Sequence, residues 1–343
     1  MGSGKDGGWT LNREMNPTQK EPLLTVGDLT VHFHTDRGVV KALDGAGLRI
    51  GKGEVVGLIG ESGCGKTTIA RSVLRVLPPG GKVVQGSVSF KGKELLTMEE
   101  KELNSSVRGR MITLIPQDPF NSFNPVFSVG TQIRDILKWK GEGKSDRGVD
   151  EEKIREMLNQ VQIPSPASQL AKYPYQFSGG QRQRLMIAMA LLPSPDLVIA
   201  DEPTTALDVT VEAQILRLMT SLVRGRDISV LFITHDLGVA SEVCERIVVM
   251  YAGQDMEDGP ADILFSDPRH PYTRELLESL PNPEGKIRDI PGEVPSLIYP
   301  PPGCRFSPRC PGATDACSKE RPERIEAAPG HWVRCLHPLT KGA

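Results

Sequence analysis

The sequence predicts an α/β protein with a parallel sheet at its core, an antiparallel sheet near its N-terminus and a helical insertion. Three short, continuous apolar runs indicate the core: GEVVGLIG at 53–60, PDLVIADE at 195–202 and ISVLFITHD at 228–236. Each run is followed by helix-like sequence, which is typical of strands buried on both faces of a parallel sheet. With 343 residues, 38% of them hydrophobic, the chain can bury one large core and carry a second small unit.

The N-terminal part has the pattern of an antiparallel sheet. The segment LLTVGDLTVHF at 23–33 approaches an alternation of apolar and polar residues, and GSVSFKGKEL at 86–95 is typical of two strands joined by a glycine turn. The first 22 residues have no apolar signal core, and Asp6 stands where a myristoylation motif requires Ser or Thr. We expect residues 1–22 to be a disordered lead.

A helical insertion is predicted from about residue 119 to 192. Its segments VGTQIRDILKW at 129–139 and DEEKIREMLNQVQ at 150–162 have apolar residues at helical spacing. Further along, 7 of the 21 residues from Pro291 to Pro311 are proline, which excludes regular helix there. We therefore expect one large domain at 23–285 and a small Pro- and Cys-rich domain at 286–343.

Charge and the length of the apolar runs argue against two classes of protein. The net charge is −2, with 41 basic and 43 acidic residues, so no surface for nucleic acid is predicted. The longest apolar run, LMIAMALLPSPDLVIA at 185–200, is interrupted by Pro193, Pro195 and Asp196, and falls short of the roughly 18 residues of a membrane span. We expect a chain that crosses no membrane by itself and lies in the reducing cytosol.

The segment GESGCGKTT at 60–68 fits the phosphate-binding pattern GxxxxGK followed by Ser or Thr. It stands between a buried-strand run and the helix-like TTIARSVLRVL, which is the context that the pattern requires. Glycines let backbone N–H groups converge on a phosphate, and the helix N-terminus adds partial positive charge. Lys66 should reach the β- and γ-phosphates and Thr67 should bind Mg²⁺. We favour Cys64 as a tolerated small residue over a redox switch.

The segment LVIADEPTTALD at 197–208 supplies a second part of the site. Asp201, at the end of an apolar strand, can hold Mg²⁺ through water, and Glu202 can orient or deprotonate an attacking water. An Asp-Glu pair at a strand end is by itself more often a cap or a solvated turn. The phosphate-binding loop in the same chain favours the catalytic interpretation.

The segment QFSGGQRQRLMIAMALL at 176–192 makes the prediction specific. FSGGQ at 177–181 resembles the signature motif of ATP-binding cassette (ABC) ATPases, and the other family motifs follow in order. Gln117 in LIPQDPF resembles the glutamine of the Q-loop, ALD at 206–208 resembles the D-loop, and His235 in ITHD resembles the switch histidine. The resemblance implies a cassette fold with a RecA-like parallel core, an antiparallel β subdomain and a helical subdomain.

The resemblance also implies the residues of the ATP site. Glu202, His235 and Gln117 would be catalytic, and Mg²⁺ would be held through Thr67, Gln117 and Asp201. The signature motif of one subunit would contact the γ-phosphate of ATP held by the opposite subunit, so hydrolysis would require a dimer. The expected adenine-stacking residue is Phe33, with His34 as the second candidate, and a place in the core is an equal alternative for Phe33. The implied ATP-binding residues are Phe33, Gly60, Ser62, Gly63, Cys64, Gly65, Lys66, Thr67, Thr68, Ser178, Gly179, Gly180, Gln181 and Asp208.

A closer resemblance extends from about Leu23 to the end of the chain. GESGCGKTT, QDPFNSFNPVFSVG, ADEPTTALDVTVEAQIL, HPYTRELLESLPNP and CRFSPRCP together resemble the ATPase subunits of dipeptide and oligopeptide importers. This implies two membrane permease subunits, a homologous second ATPase, an external binding protein that acts indirectly, and a peripheral location on the cytoplasmic face of the membrane. Importers of nickel or oligosaccharides share these features. A non-transport ABC ATPase and a metal-sensing regulator are alternatives from other classes.

The resemblance leads to predictions for two further segments of the chain. Phe120, Phe123 and Pro125, after the Q-loop glutamine, would either dock the permease helices or be buried within this chain. In YAGQDMEDGP at 251–260, Asp255 stands where the family usually has a more apolar residue, and we interpret it as surface variation.

The tail contains four of the six cysteines, Cys304, Cys310, Cys317 and Cys335, with the spacings Cx5C, Cx6C and Cx17C. Two disulfides conflict with the cytosol. Structural zinc usually shows closer CxxC pairs, and a 4Fe–4S cluster also takes four thiolates. Spacing leaves iron and zinc open; the resemblance to importer ATPases, some of which carry a cluster in this tail, favours the 4Fe–4S cluster over Zn²⁺. His331 and His337 are spare ligand candidates, for which we prefer solvent-facing or capping roles.

Overall fold

A computed structural model describes residues 22–140, 147–205, 207–280 and 288–340 of the chain. The predicted lead of residues 1–22 lies outside these ranges except for Pro22, which begins the first strand. The strands of the described residues are β1 (Pro22–Thr35), β2 (Gly38–Gly51), β3 (Val55–Ile59), β4 (Gly81–Phe90), β5 (Lys93–Glu94), β6 (Ile112–Ile115), β7 (Leu197–Asp201), β8 (Ser229–Ile233), β9 (Arg246–Tyr251), β10 (Gln254–Pro260), β11 (Arg324–Ala328) and β12 (His331–Arg334).

Helices separate some of these strands and are absent between others. Short π-helical and 3₁₀ turns stand at Leu103–Val107 and Pro174–Gln176. The α-helices of the described residues are α1 (Lys66–Val73), α2 (Glu100–Glu102), α3 (Val129–Lys140), α4 (Arg147–Gln160), α5 (Pro166–Gln169), α6 (Gly179–Leu191), α7 (Val209–Arg224), α8 (Leu237–Val243), α9 (Ala261–Ser266), α10 (Pro271–Glu278) and α11 (Asp315–Lys319). None of these helices is long and apolar enough to span a lipid bilayer.

The described residues divide into two compact units. The first lies within residues 1–51, 55–97 and 234–343, and the second within 52–54 and 98–233. The first unit contains an antiparallel sheet in the order β2-β1-β4-β5, as the alternating pattern predicts. Its buried face is formed by aliphatic side chains such as Leu24, Val26 and Leu48, which are inaccessible to solvent.

A second set of strands in the first unit connects the middle of the chain to its tail. All five residues of β3 are buried, and β3 runs parallel to β9. From β9 the order continues antiparallel through β10 and β12 to β11. The two tail strands are therefore hydrogen-bonded into the same sheet as β9 and β10. A separate Cys-rich domain at 286–343 stays a prediction.

The second unit contains the parallel strands β6, β7 and β8, with β7 in the middle. Each residue of β7 and β8 is buried, which confirms that PDLVIADE and ISVLFITHD form strands covered on both faces. Helices α3, α4, α5 and α6 lie within the predicted insertion. This arrangement sets the polar residues that follow β6 and β7 at the same edge of the three strands, because the strands are parallel.

The tail has the proline-dominated conformation that its composition predicts. Residues 291–311, all of which the structure describes, contain no helix and no strand. Regular structure resumes with α11 and the β11–β12 hairpin. Several tail side chains are nevertheless fully buried, among them Arg305 and Phe306. The tail is therefore packed, although it lacks regular structure over its proline-rich part.

Strand β10 corrects the interpretation of Asp255 as surface variation. Asp255 is 3% exposed. One carboxylate oxygen accepts a hydrogen bond from the backbone N–H of Gly47 at 2.8 Å, and the other accepts from Nε of Arg334 at 3.2 Å. The residue is a buried, paired acid whose guanidinium partner comes from the tail.

Two further acids of β10 have similar surroundings. Asp258 pairs with Arg246 at 2.5 Å and with Arg324 at 2.6 Å. Glu257 lies 2.7 Å from Nε2 of His331, and both side chains are inaccessible to solvent. His331 therefore has neither the solvent-facing nor the capping role that the sequence suggests. Because buried charges are stable only when they are paired, these contacts connect β10 to the tail.

Candidate active site

The phosphate-binding loop connects β3 to α1 in the first unit. Gly60 has a φ of 147°, and a Cβ atom there would lie 2.1 Å from the backbone oxygen of Met250. Gly65 has a φ of 110°, and a Cβ atom there would lie 2.7 Å from Leu43. Both positions therefore require glycine, because a Cβ atom would clash with its neighbours and because φ is positive. The loop runs directly against its neighbours at these two points.

Lys66 lies at the start of α1 and is 5% exposed. Its ammonium group donates hydrogen bonds to the backbone oxygens of Gly60 at 2.7 Å and Glu61 at 3.2 Å. The lysine side chain therefore folds back against the loop that precedes it. The first turn of α1 contains no acidic residue, and its N-terminal partial positive charge is not offset there. The loop and the helix end together favour an anion.

The other residues of the loop differ in their exposure. Ser62 and Gly63 are exposed, and Thr67 and Thr68 are half-buried. Cys64 is 2% exposed, and burial raises the pKa of its thiol although Lys66 lowers it. The thiol therefore stays protonated near neutral pH, which supports the interpretation of Cys64 as a small packed residue.

In the second unit, the end of β7 carries the predicted carboxylates. Asp201 is 7% exposed, and Glu202 is half-buried with a φ of 48°, which is a strained conformation for a side chain of this size. One oxygen of the Glu202 carboxylate accepts hydrogen bonds from Nε2 of Gln117 at 2.9 Å and from the hydroxyl of Thr205 at 3.1 Å. The structure thus brings together Gln117, which follows β6, and Glu202, which follows β7.

The signature segment begins α6 in the same unit. The hydroxyl of Ser178 accepts a hydrogen bond from the N–H of Gln181, and the side chain of Gln181 accepts one from the N–H of Ser178, which is a capping box. Ser178 is exposed, and Gly179 and Gly180 are half-buried. The hydroxyl and the helix N-terminus are therefore available to an anion outside the chain.

The signature segment at the start of α6 lies next to the start of α7. Asp208 is the N-cap of α7, and its carboxylate accepts a hydrogen bond from the N–H of Val211 at 3.0 Å. A Cβ atom at Gly180 would lie 2.8 Å from Val211. The N-termini of α6 and α7 are therefore in direct contact. Ala206 of the predicted D-loop lies outside the described residues.

The remaining predicted residues lie in the first unit. His235 is exposed and follows the end of β8 by two residues. Phe33 is half-buried, and its ring would lie 2.6 Å from a Cβ atom at Gly81, which pairs with it across β1 and β4. The roles of His235 and Phe33 stay predictions. The loop, His235 and Phe33 belong to the first unit, whereas Gln117, Asp201, Glu202, Ser178 and Asp208 belong to the second.

The segment after Gln117 exposes an apolar surface. Phe120 and Phe127 are 52% and 50% exposed, Val126 is 74% exposed, and Pro125 is also exposed. Phe123 is 5% exposed, so burial within this chain is the correct alternative for that residue. Sequence reasoning missed Val126 and Phe127, whose only signal was their place between Pro125 and the start of α3.

A polar turn gives this segment its shape. The carboxylate of Asp118 accepts hydrogen bonds from the N–H groups of Phe120 at 2.7 Å and Asn121 at 3.2 Å, and these bonds lower the pKa of Asp118. The guanidinium of Arg182, on α6, lies 4.4 Å from the centre of the Phe120 ring. The exposed segment is therefore connected to the signature helix within the second unit.

The four tail cysteines line one cavity of about 170 Å³. Cys304 and Cys317 are buried, and Cys310 and Cys335 are half-buried. All six cysteines of the chain are free thiols, so the structure contains no disulfide at these positions. Among the described residues, no group of three or more His, Cys, Asp or Glu side chains is arranged to hold a metal ion. The structure thus brings the four thiols to one cavity without forming a compact ligand set.

Burial and mutual repulsion act on the thiols of this cavity. The pKa of Cys304 is raised to about 11 and that of Cys335 to about 12, mainly by burial and to a smaller extent by the neighbouring thiols. The pKa of Cys310 is also raised, mainly by burial. These thiols are protonated near neutral pH unless a positive centre in the cavity compensates the charge of the thiolates.

Two family models match the chain. The model described as ABC transporter matches residues 43–205, and the model described as oligopeptide/dipeptide transporter, C-terminal region, matches residues 256–317. The first match contains the phosphate-binding loop, the Q-loop glutamine, the signature segment and the Asp-Glu pair. The second covers all but the first two residues of β10, the HPYTR segment and three of the four tail cysteines.

Curated relatives match nearly the whole chain. A probable peptide ABC transporter ATP-binding protein of Sinorhizobium fredii is 46% identical over 95% of this chain and 97% of its own length. The dipeptide transport ATP-binding protein DppD of Escherichia coli is 43% identical over 92% of this chain and 97% of its own. The oligopeptide transport ATP-binding protein OppD of Bacillus subtilis is 44% identical over 92% of this chain and 89% of its own.

A solved structure has the same fold. The ATP-binding cassette MJ0796, in a dimeric post-hydrolysis state bound to ADP and Pi, matches with a TM-score of 0.62 and 26% identity over 69% of this chain and 98% of its own. The fold and the site therefore define an ABC-type P-loop ATPase. Within that class, the chain belongs to the ATP-binding proteins of dipeptide and oligopeptide ABC transporters.

Proposed function

We propose that this chain is the ATP-hydrolysing subunit that powers import of dipeptides or oligopeptides through a membrane transporter. The observation that carries the proposal is the Glu202 carboxylate at the end of β7, which Gln117 and Thr205 hold in place by hydrogen bonds. A fixed carboxylate at this position is suited to take a proton from an attacking water. The names of relatives that are 43–46% identical over most of their length support the peptide substrate.

In this proposal the residues of the site have the following roles. Lys66 neutralises phosphate oxygens from the loop, and the N–H groups at the start of α1 donate to them. Oxygen donors are the ligands that Mg²⁺ prefers, and Thr67 and Asp201 provide a hydroxyl and a buried carboxylate of this kind. When bound, Mg²⁺ would neutralise part of the charge of the phosphates. Glu202 orients water, Gln117 fixes Glu202, and His235 contacts the γ-phosphate.

The signature segment completes the site of a second, homologous ATPase subunit. Ser178 is exposed and lies at the N-terminus of α6, so it can bind an anion that this chain does not itself hold. The dimeric state of the solved cassette MJ0796 supports this arrangement. Two subunits then form two ATP sites, each built from the loop of one chain and the signature segment of the other.

The exposed apolar segment after Gln117 docks the permease subunits at the cytoplasmic face of the membrane. Phe120, Val126 and Phe127 are each at least half exposed, which is unusual for large apolar residues so close together. Phe127→Asp should reduce co-purification with the permease subunits. Tyr299→Asp is the matched control, because Tyr299 is 83% exposed in the tail. Equal permease yields from the two variants would refute the docking role.

The peptide substrate is tested in proteoliposomes that contain the complete transporter and its external binding protein. ATP-dependent uptake of labelled dipeptides and oligopeptides is measured beside uptake of nickel and an oligosaccharide. Uptake should be confined to the peptides and should be lost with Glu202→Gln in this chain. Uptake of nickel or sugar alone, or peptide uptake that continues with the variant, would contradict the proposal.

The tail cavity holds a 4Fe–4S cluster in this proposal. Each thiolate of such a cluster binds a separate iron, so the four thiols need not converge on one point as the ligands of a single zinc ion do. Cys304, Cys310, Cys317 and Cys335 all line this cavity and would hold the cluster, which would supply the positive centre that keeps these buried thiolates ionised. Anaerobic purification should give a brown protein with about four iron and four sulfide per chain. A colourless protein that contains zinc would refute the cluster.

A further inference from the structure

A tail arginine is bonded to the phosphate-binding loop. Arg309, which precedes Cys310, forms a two-point ion pair with Glu61, the second residue of GESGCGKTT. Nη1 of Arg309 lies 2.8 Å from one carboxylate oxygen of Glu61, and Nη2 lies 3.2 Å from the other. The two residues are 248 positions apart in the chain and both belong to the first unit.

Arg309 is held rigidly by the rest of its surroundings. Its Nε donates to the backbone oxygen of Pro291 at 3.0 Å, and Nη2 also donates to the backbone oxygen of Ile290 at 3.0 Å. Nη1 donates further to the hydroxyl of Tyr251 at 3.2 Å. The five N–H donors of the guanidinium are thus all satisfied, and the side chain is only 3% exposed. An ion pair of this kind is unlike the exposed pairs that contribute little.

Glu61 in turn determines the shape of the loop. Its backbone oxygen accepts hydrogen bonds from the N–H of Cys64 and from the ammonium of Lys66, both at 3.2 Å. Its backbone N–H donates to the hydroxyl of Tyr272 at 3.1 Å. The position of Glu61 therefore affects both the turn of the loop and the lysine that meets the phosphates.

The Glu61 carboxylate is also a negative charge within the loop that is to receive a polyanion. Its side chain is 26% exposed, and its only ion-pair partner given by the structure among the described residues is Arg309. If the guanidinium is removed, the carboxylate is released and its charge acts on the nucleotide phosphates without compensation.

We propose that Arg309 is a positioning residue for nucleotide binding, through which the cysteine-containing tail sets the affinity of the phosphate-binding loop. It fixes Glu61 and neutralises its charge, so that the loop presents Lys66 and its N–H groups to the phosphates. This inference rests on the proposed nucleotide site. It goes beyond that proposal because it assigns the tail an effect on ATP affinity.

The test is a double-mutant cycle on the full chain, with the Kd of the Mg²⁺ complex of a non-hydrolysable ATP analogue as readout. Arg309→Gln should raise the Kd about 3- to 10-fold when Glu61 is present. In the background of Glu61→Gln, the same change should alter the Kd less than 1.5-fold, because the charge that Arg309 compensates is absent. Arg309→Lys should have an intermediate effect, since an ammonium cannot make the two-point contact. Arg288→Gln is the control, because Arg288 is a 61% exposed tail arginine that pairs with Glu278.

The outcomes distinguish a role of Arg309 in nucleotide binding from a role only in the packing of the tail. An unchanged Kd for Arg309→Gln, or the same increase in both backgrounds, overturns the inference, because Arg309 would then act only on the packing of the tail. If Arg309→Gln does not fold, Arg309→Lys in the two backgrounds provides the same comparison. Failure of the unaltered chain to bind the analogue would overturn the proposed function itself, which is a different result from normal binding that is insensitive to Arg309.

Discussion

Replacement of Glu257 by Gln tests whether the buried, hydrogen-bonded carboxylate that connects β10 to the tail stabilises the first unit. The carboxylate is inaccessible to solvent. It accepts hydrogen bonds from the N–H groups of Arg269 at 2.5 Å and His270 at 3.0 Å, and from Nε2 of His331 at 2.7 Å. Both oxygens of the carboxylate are used, whereas glutamine has one oxygen and one NH₂ group. In the variant, at least one N–H donor must face the NH₂ group.

The expected loss of stability follows from these contacts. A buried donor that loses its acceptor costs about 1–3 kcal/mol, and the remaining hydrogen bonds lose the contribution of the charged acceptor, about 1 kcal/mol in total. We expect a decrease of about 2–4 kcal/mol in the free energy of unfolding of the first unit. For a unit of roughly 150–250 residues this corresponds to a fall in Tm of about 4–16 °C.

Thermal unfolding followed by circular dichroism measures this effect, with Glu278→Gln as the matched control. Glu278 belongs to the same unit, its side chain is 45% exposed, and it pairs with Arg288 at the surface. The control should change the free energy of unfolding by less than about 0.5 kcal/mol. Equal melting temperatures for the two variants would refute the idea that the buried acids of β10 stabilise the tail.

Three further variants test the catalytic base, the phosphate-binding loop and the pH dependence of stability. Glu202→Gln should lower ATP hydrolysis by the assembled complex about 100-fold or more while ATP binding persists, as measured by turnover and by nucleotide binding; near-normal turnover would exclude Glu202 as the base. Gly60→Ala, with its Cβ 2.1 Å from the oxygen of Met250, should abolish nucleotide binding, and normal affinity would contradict the steric argument. Burial lowers the pKa of His270 from 6.5 to about 4. Between about pH 6.5 and 4 the unfolded state therefore binds a proton more readily than the folded state does. The free energy of unfolding, which is fully retained above pH 6.5, decreases over this range by up to about 3 kcal/mol. His270→Asn, which keeps an N-cap acceptor for α10, should flatten that part of the stability profile, and an unchanged slope would assign the pH dependence to other groups.

The parts of the site that lie close together in sequence were predictable from it. The glycines of the loop, Lys66 and the start of α1 form one continuous segment, and each residue type is required by local backbone geometry or by charge. The same is true of Ser178 and Gln181, whose capping box is a pattern of adjacent residues. Gln117 and Glu202 come from different segments, but each follows a strand of the same parallel set, so the fold class predicts their proximity.

The contacts made by the tail were not predictable in this way. Asp255 is polar in a polar stretch, which indicates exposure, but its partner Arg334 is 79 positions away. Arg309 and Glu61 are farther apart still, and neither residue stands out by its type. Pairing between distant charges depends on which strands are neighbours, and the order β9-β10-β12-β11 has no signal in local sequence. Burial of Phe123 and exposure of Phe127 likewise depend on tertiary packing.

The proposed dimer requires Ser178 of one subunit to complete the ATP site of the opposite subunit. It is tested most directly by Ser178→Arg, with Ser178→Thr as a control that retains a hydroxyl at the N-cap. We expect Ser178→Arg to leave the Kd of ATP on the loop of the same chain within about 2-fold, while hydrolysis by the assembled complex falls about 100-fold or more. Loss of ATP binding by the isolated variant, or hydrolysis equal to that of the Thr control, would contradict the claim.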